Sequence, residues 1–181
     1  MAADGGMGHA TKRREDVRFL TGRGKYTDDY TPAKTTYCAL ARSPVANGKI
    51  NGIDTSAAAT MPGVVAVFTG EDFVDVGGNP AGWAINSRDG EPMKEPKRPV
   101  LAHGKVRHVG DAYAAVIAET LEQAMDAVEA LDADIDELDA VIDMADALAN
   151  TGTLVHDEIG TNQCFDWGGI EDNRAATDEA I

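Results

Sequence analysis

Residues 105–136 constrain the fold most, because the hydrophobic period changes twice within them. Residues 106–118 are mostly apolar, with Val109, Ala112, Tyr113, Ala114, Ala115, Val116, Ile117 and Ala118. A run of this kind predicts a strand buried on both faces, with 111–119 as a central strand. Thr120 and Gln123 then form a T-x-x-Q capping box, in which each side chain accepts a backbone N–H of the other residue. Leu121, Ala124, Met125, Val128 and Leu131 recur at spacings of three and four, so they share one helical face. Leu121, Met125 and Val128 are expected to be largely buried where that helix packs across the sheet. After Leu131 the period becomes two: Ala133 and Ile135 alternate with Asp134 and Asp136, as in a half-exposed strand. Strand, helix and return strand predict a compact βαβ-like unit on which the rest of the chain packs.

Other segments fill in an α/β (α+β) fold. Residues 36–43 read as a strand that Pro44 ends, and Cys38 within it reads as a small buried hydrophobe. Residues 49–54 read as a short strand. Thr55 or Ser56 caps a short helix over 57–61, which Pro62 and Gly63 stop. Residues 64–68 read as a buried strand, and 99–102 and 105–108 as returns to strand. Asp143 caps a short helix containing Met144, Ala147 and Leu148. Residues 75–98 form a long glycine-, proline- and charge-rich surface excursion carrying Trp83, and loops of that length are commonly functional. Residues 1–7 are small and glycine-rich, residues 152–167 extended and mixed, and residues 173–181 polar.

Sixteen lysines and arginines against 31 aspartates and glutamates give a formal charge of −15 over 181 residues. That balance argues against nucleic acid or an anionic membrane as partner. No stretch has the apolar length of a membrane span, and residues 1–16 contain no apolar signal core. A cytoplasmic location is the expectation. Several sharper motifs fail on their spacing. Residues 21–29 carry glycines and Lys25, but a phosphate loop needs G-x-x-x-x-G-K-[ST] between a strand and a helix. The acidic run from Asp132 lacks the glycine and glutamate of a calcium loop, having Glu137 and Asp143 at those places. His9, His103, His108 and His156 show no metal-ligand spacing, and Cys38 and Cys164 are too far apart in sequence for a metal cluster. Residues 156–158 read as a solvated loop, and Ser43 lacks a nucleophile-elbow context.

Five blocks, taken together, carry a resemblance. They are R-R-E-D-V-R-F-L-T-G-R-G-K-Y-T-D-D at 13–29, R-S-P at 42–44, P-G-V-V-A-V-F-T-G at 62–70, V-G-D at 109–111 running into A-A-V-I-A-E-T at 114–120, and L-V-H-D-E at 154–158. In this order they resemble the start of the molybdenum-bearing large subunit of the xanthine dehydrogenase and aldehyde oxidase family, in its aerobic carbon monoxide dehydrogenase-type branch. Family chains typically have proline where this one has Ala112. The resemblance implies an α/β hammerhead domain, a mixed sheet with a few packed helices. It implies an N-terminal arm at 1–20, the hammerhead at 21–150, and a segment at 151–181 leading toward a molybdopterin-binding domain. The family's molybdopterin ligands and catalytic glutamate lie in later domains, so no catalytic, cofactor or metal residue is carried over. The resemblance further implies molybdopterin in the full-length protein, iron–sulfur clusters and FAD on partner subunits or domains, and an oligomer.

Two functions follow as expectations: a structural first domain of a molybdenum hydroxylase, inactive alone, or a free-standing binding or assembly module with the same fold. The end at Ile181 is read as favouring the first, and the reading frame beyond it would decide. Interface candidates are Arg13, Arg14, Phe19, Arg23 and Tyr26 of the arm, and Trp83 of the long loop. The arginines are costly to bury unpaired and suit carboxylates on a partner.

Overall fold

A computed structural model describes residues 13–167 and Glu179. The expectations for 1–7 and 173–181, apart from Glu179, lie outside the described residues, as does His9. The chain divides into two compact units, Met1–Thr35 and Thr36–Ile181.

In the first unit, α1 (Asp16–Leu20) is a short helical turn. The chain then doubles back: Arg23 N–H donates to the Arg18 carbonyl at 2.8 Å, with Gly22 at φ +68° making the bend. Phe19 stacks on Tyr26 with centroids 5.6 Å apart, and the Arg18 guanidinium lies 5.0 Å from the Phe19 centroid. Gly24 leaves the space that the Phe19 ring fills.

The second unit holds two three-stranded sheets. One is ordered β1 (Tyr37–Arg42), β5 (Ala112–Ala118), β3 (Val64–Thr69), and the other β4 (Lys105–Val106), β2 (Gly48–Asp54), β6 (Asp132–Glu137). Every pairing within them is antiparallel. The predicted central strand is therefore present, flanked on both sides, but the single mixed sheet is replaced by two antiparallel ones. The βαβ-like unit is corrected too. After α3 (Leu121–Glu129) the chain enters the other sheet, where Ile135 faces Ile50 and Ala133 faces Ile53. These apolar cross-strand pairs suit β6 to β2, while its aspartates form the wet edge that discourages edge-to-edge association.

The core lies between α3, α2 (Ser56–Ala59) and the first sheet. Ala114, Val116 and Ala118 of β5 share a fully buried face, and Ala58, Val116 and Ala127 form its centre, edged by Met61, Val64, Val67 and Val128. The Thr120–Gln123 capping box is present, with Gln123 N–H donating to Thr120 Oγ1 at 3.2 Å and Thr120 N–H to Gln123 Oε1 at 3.1 Å. The helix face differs from expectation: Ala124 and Ala127 are buried, whereas Leu121 and Met125 are 44% and 55% exposed and Val128 is half-buried. Alanines on both surfaces let the helix backbone lie close to the sheet, and the larger side chains are left flanking that contact.

Other corrections follow from strand position. β1 and β3 are edges, so Cys38 is exposed and Val65 is 60% exposed, against the buried placements expected. Residues 99–102 form no strand, although Leu101 and Ala102 are buried; Gly70 packs against the Ala102 carbonyl so closely that no Cβ fits. The predicted strand 105–108 is limited to β4, because Val109 and Gly110 form a turn. The α2 start is capped by Asp54, whose Oδ1 accepts Ser56 N–H at 2.8 Å; neither Thr55 nor Ser56 caps it with its side chain. Asp143 caps α4 (Met144–Ala149) as predicted, accepting from Ala145 N–H at 2.8 Å and Asp146 N–H at 3.1 Å.

Candidate functional site

Three of the five sequence blocks that carry the resemblance meet in the second unit. Gly110 N–H donates to the Ser43 carbonyl and Ser43 N–H to the Asp111 carbonyl, each at 2.8 Å. Arg42 Nη1 donates to the Gly110 carbonyl at 2.9 Å. Gly110 sits at φ +88°, a conformation that favours glycine in this turn. Asp111 Oδ2 accepts Arg107 N–H at 3.0 Å, which fixes the start of the turn. Residues 154–157 close the arrangement: Lys105 Nζ donates to the Leu154 carbonyl at 2.9 Å and to Asp157 Oδ2 at 3.0 Å, and Arg107 Nε donates to the Val155 carbonyl at 3.3 Å.

This turn is one wall of a cleft of about 520 Å³, and residues 93–99 are the facing wall. That second wall belongs to the long excursion, which is pinned along its length. Asn79 N–H donates to the Arg98 carbonyl at 2.7 Å, Lys94 N–H to the Cys164 carbonyl at 2.8 Å, and Arg88 binds Asp166 Oδ2 at 2.6 Å. Trp83 meets Trp167 edge to face at 6.0 Å.

The cleft is cationic. Lys94, Lys97, Arg98 and Arg107 line it against the carboxylates of Glu95 and Asp111. Glu95 accepts from Ala81 N–H, and Asp111 from Arg107 N–H, so both carboxylates already have partners. The side chains of Lys94, Lys97 and Arg98 form no ion pair among the described residues. Arg107 also donates from Nη1 to the Lys105 carbonyl at 3.2 Å. Beside the cleft, Glu158 is held below the usual carboxylate range, first by its own backbone N–H and then, against a push upward from burial, by His156 and Arg107. His156 Nδ1 lies 3.2 Å from Glu158 Oε1.

Of the interface candidates, Trp83 lies in the same unit as this cleft but is not among its lining residues. Arg13, Arg14, Phe19, Arg23 and Tyr26 belong to the first unit and are all exposed. Trp83 belongs to the second unit and is 69% exposed. The sequence reading singles out none of the cationic lining residues. The signal was three cations within 94–98 of an acidic chain, while the partnership of 42–44, 107–111 and 154–158 needed the fold.

No group of three or more His, Cys, Asp or Glu side chains converges to hold a metal among the described residues.

Comparison with known proteins explains the arrangement. The chain is 33% identical over 193 residues to the carbon monoxide dehydrogenase large chain of Hydrogenophaga pseudoflava, covering 96% of this chain and 22% of that one. It is 34% identical over 146 residues to the xanthine dehydrogenase molybdenum-binding subunit of Escherichia coli O157:H7, covering 80% of this chain and 19% of that one. The structure matches quinoline 2-oxidoreductase from Pseudomonas putida 86 with a TM-score of 0.74 and 32% identity, over 82% of this chain and 18% of that one. The chain thus spans about a fifth of the length of the relatives it matches. The profile of the aldehyde oxidase and xanthine dehydrogenase a/b hammerhead domain matches residues 21–139, and the chain belongs to that family.

Proposed function

We propose that this chain is a structural, non-catalytic domain of a molybdenum hydroxylase large subunit, and that the redox chemistry belongs to the complete protein. The observation that carries this reading is the match of residues 21–139 to one domain of proteins about five times as long. The complete protein would hold molybdopterin, oxidise its substrate with water as oxygen source, and pass electrons to iron–sulfur clusters and FAD on partner subunits or domains. Relatives are named for carbon monoxide, xanthine, quinoline and nicotine. A cytoplasmic, oligomeric enzyme fits the reading. No described helix is long and apolar enough to cross a membrane.

The surface supports a domain built to be covered. Ile142 and Met144 are 88% and 87% exposed, and Leu148 is exposed on the same short element, α4 and the residue just before its cap. Clustered exposed apolar side chains mark contact surfaces. The arm is a second candidate contact: Arg13, Arg14 and Arg23 have no ion-pair partner among the described residues, and their planar groups suit carboxylates elsewhere in the assembly.

Metal analysis and dye-linked oxidation assays test the proposal. The purified 181-residue chain is expected to carry no stoichiometric molybdenum and to oxidise no substrate, while the same sequence within its longer reading frame carries both properties. Stoichiometric molybdenum or turnover in the 181-residue chain would overturn it.

A further inference from the structure

We infer that the cleft between residues 93–99 and the 107–111 turn is a docking groove for an acidic, extended peptide segment of the polypeptide that covers this domain. The inference rests on the proposed role as one domain of a larger protein and deepens it by naming a surface and its partner's chemistry.

The charge distribution is the main argument. A chain of net charge −15 concentrates four cationic side chains around one cleft, and the two carboxylates that line it with them are already engaged by backbone N–H groups. Lys94, Lys97 and Arg98 are exposed and form no ion pair among the described residues. Solubility does not account for this placement, because a dispersed arrangement would serve it equally and would give less mutual repulsion.

Shape and rigidity add to it. The volume of about 520 Å³ accommodates several side chains, and Met93, Pro96, Pro99 and Val155 give the groove apolar walls. The cations stand on a segment fixed at both ends, by the Asn79–Arg98 pairing and by the Lys94–Cys164 hydrogen bond. Arg107 is held by two carbonyls, which orients its guanidinium without neutralising it. Fixed cations with apolar walls suit a peptide whose carboxylates alternate with apolar side chains, since ordering costs are already met in the groove. Elsewhere the acidic chain repels a polyanion, so binding of one reports a local site.

Fluorescence polarisation of labelled hexaglutamate on the 181-residue chain at low ionic strength tests the inference, with labelled hexaglutamine as control. The expected result is saturable binding of hexaglutamate alone, weakened by salt as screening requires. The double variant Lys97→Glu/Arg98→Glu is expected to lower the affinity at least tenfold with an unchanged circular dichroism spectrum and melt, both side chains being exposed. Arg13→Glu/Arg14→Glu, in the arm, should leave it within twofold. Three results would each overturn the inference: no binding beyond the hexaglutamine control, equal affinity in the Lys97/Arg98 variant, or saturation of the site by inorganic tripolyphosphate that hexaglutamate cannot displace. The last would mean a small-anion site. Molybdenum content and peptide affinity are separate measurements, so this inference and the proposed function can fail independently.

Discussion

Single side chains show how sequence period and packing diverge. The period of three and four places Leu121, Met125 and Val128 on one helical face, but the contact is made by Ala124 and Ala127. Val128 packs at the edge of the Ala58–Val116–Ala127 centre, while Leu121 is 44% exposed and lies outside that centre. Val128→Asp should therefore cost about 3 kcal/mol, the low end for an uncompensated buried charge. For a chain of this size that corresponds to a fall in Tm of about 10 °C. Leu121→Asp should stay within about 0.5 kcal/mol of the parent. Thermal melts followed by circular dichroism separate the two; equal losses would mean that the helix packs on its leucine side. Cys38 makes the same point from the strand side: its apolar neighbours suggested burial, but β1 is an edge and the thiol is exposed.

At the scale of elements, helix starts are set by local chemistry that pH can reach. The Asp54 carboxyl is held below the usual aspartate value, first by Ser56 N–H and then by the Ser56 side chain. A lowered folded value means that the cap contributes fully above the unfolded value of about pH 4 and is lost as pH falls through the lower folded value. Asp54→Ala should lower Tm at pH 7, and the gap from the parent should shrink as both melts are repeated toward pH 3. Asp54→Asn keeps an acceptor for Ser56 N–H, so its melt should vary less over that range. A pH-independent gap for Asp54→Ala would show that the carboxylate charge is not what holds α2. Tyr113 responds at the opposite end: burial pushes its phenol up, favouring the neutral form in the fold. That contribution is present below the unfolded value near pH 10 and is lost as pH rises toward the raised folded value.

At the scale of the whole molecule, the arm and the sheets differ in what orders them. Residues 13–35 form their own compact unit, held by one helical turn, the Phe19–Tyr26 stack and the Arg18–Phe19 contact, and α1 buries no residue. β5 has a hydrogen-bonded neighbour on each side and a buried face. Segments with few buried contacts open at low free energy. Amide hydrogen exchange of the 181-residue chain should therefore show protection across residues 19–29 at least a hundredfold below that of Val116 and Ile117. Equal protection would rule out the arm as an element that awaits a partner.

By itself the sequence determined the parts that local chemistry controls. The Thr120–Gln123 box, the Asp143 cap, the stop at Pro44, the wet alternation of β6 and the identity of β5 as a middle strand all follow from short-range hydrogen bonding, proline geometry and period. The five ordered blocks carried the family. Only the tertiary structure decided which strand pairs with which. Whether β6 joins β5 or β2 depends on apolar pairs such as Ile135 with Ile50, 85 residues apart in numbering, and period is silent about partners. The structure alone also decided that small alanines, not leucine and methionine, bring α3 onto the sheet, because packing distance is a property of two surfaces. The cationic cleft was hidden for the same reason: its walls come from residues 93–99, 107–111 and 155–164. Their charges become a site only when the Gly110 turn, the Ser43 backbone and the Leu154 and Val155 carbonyls hold them together.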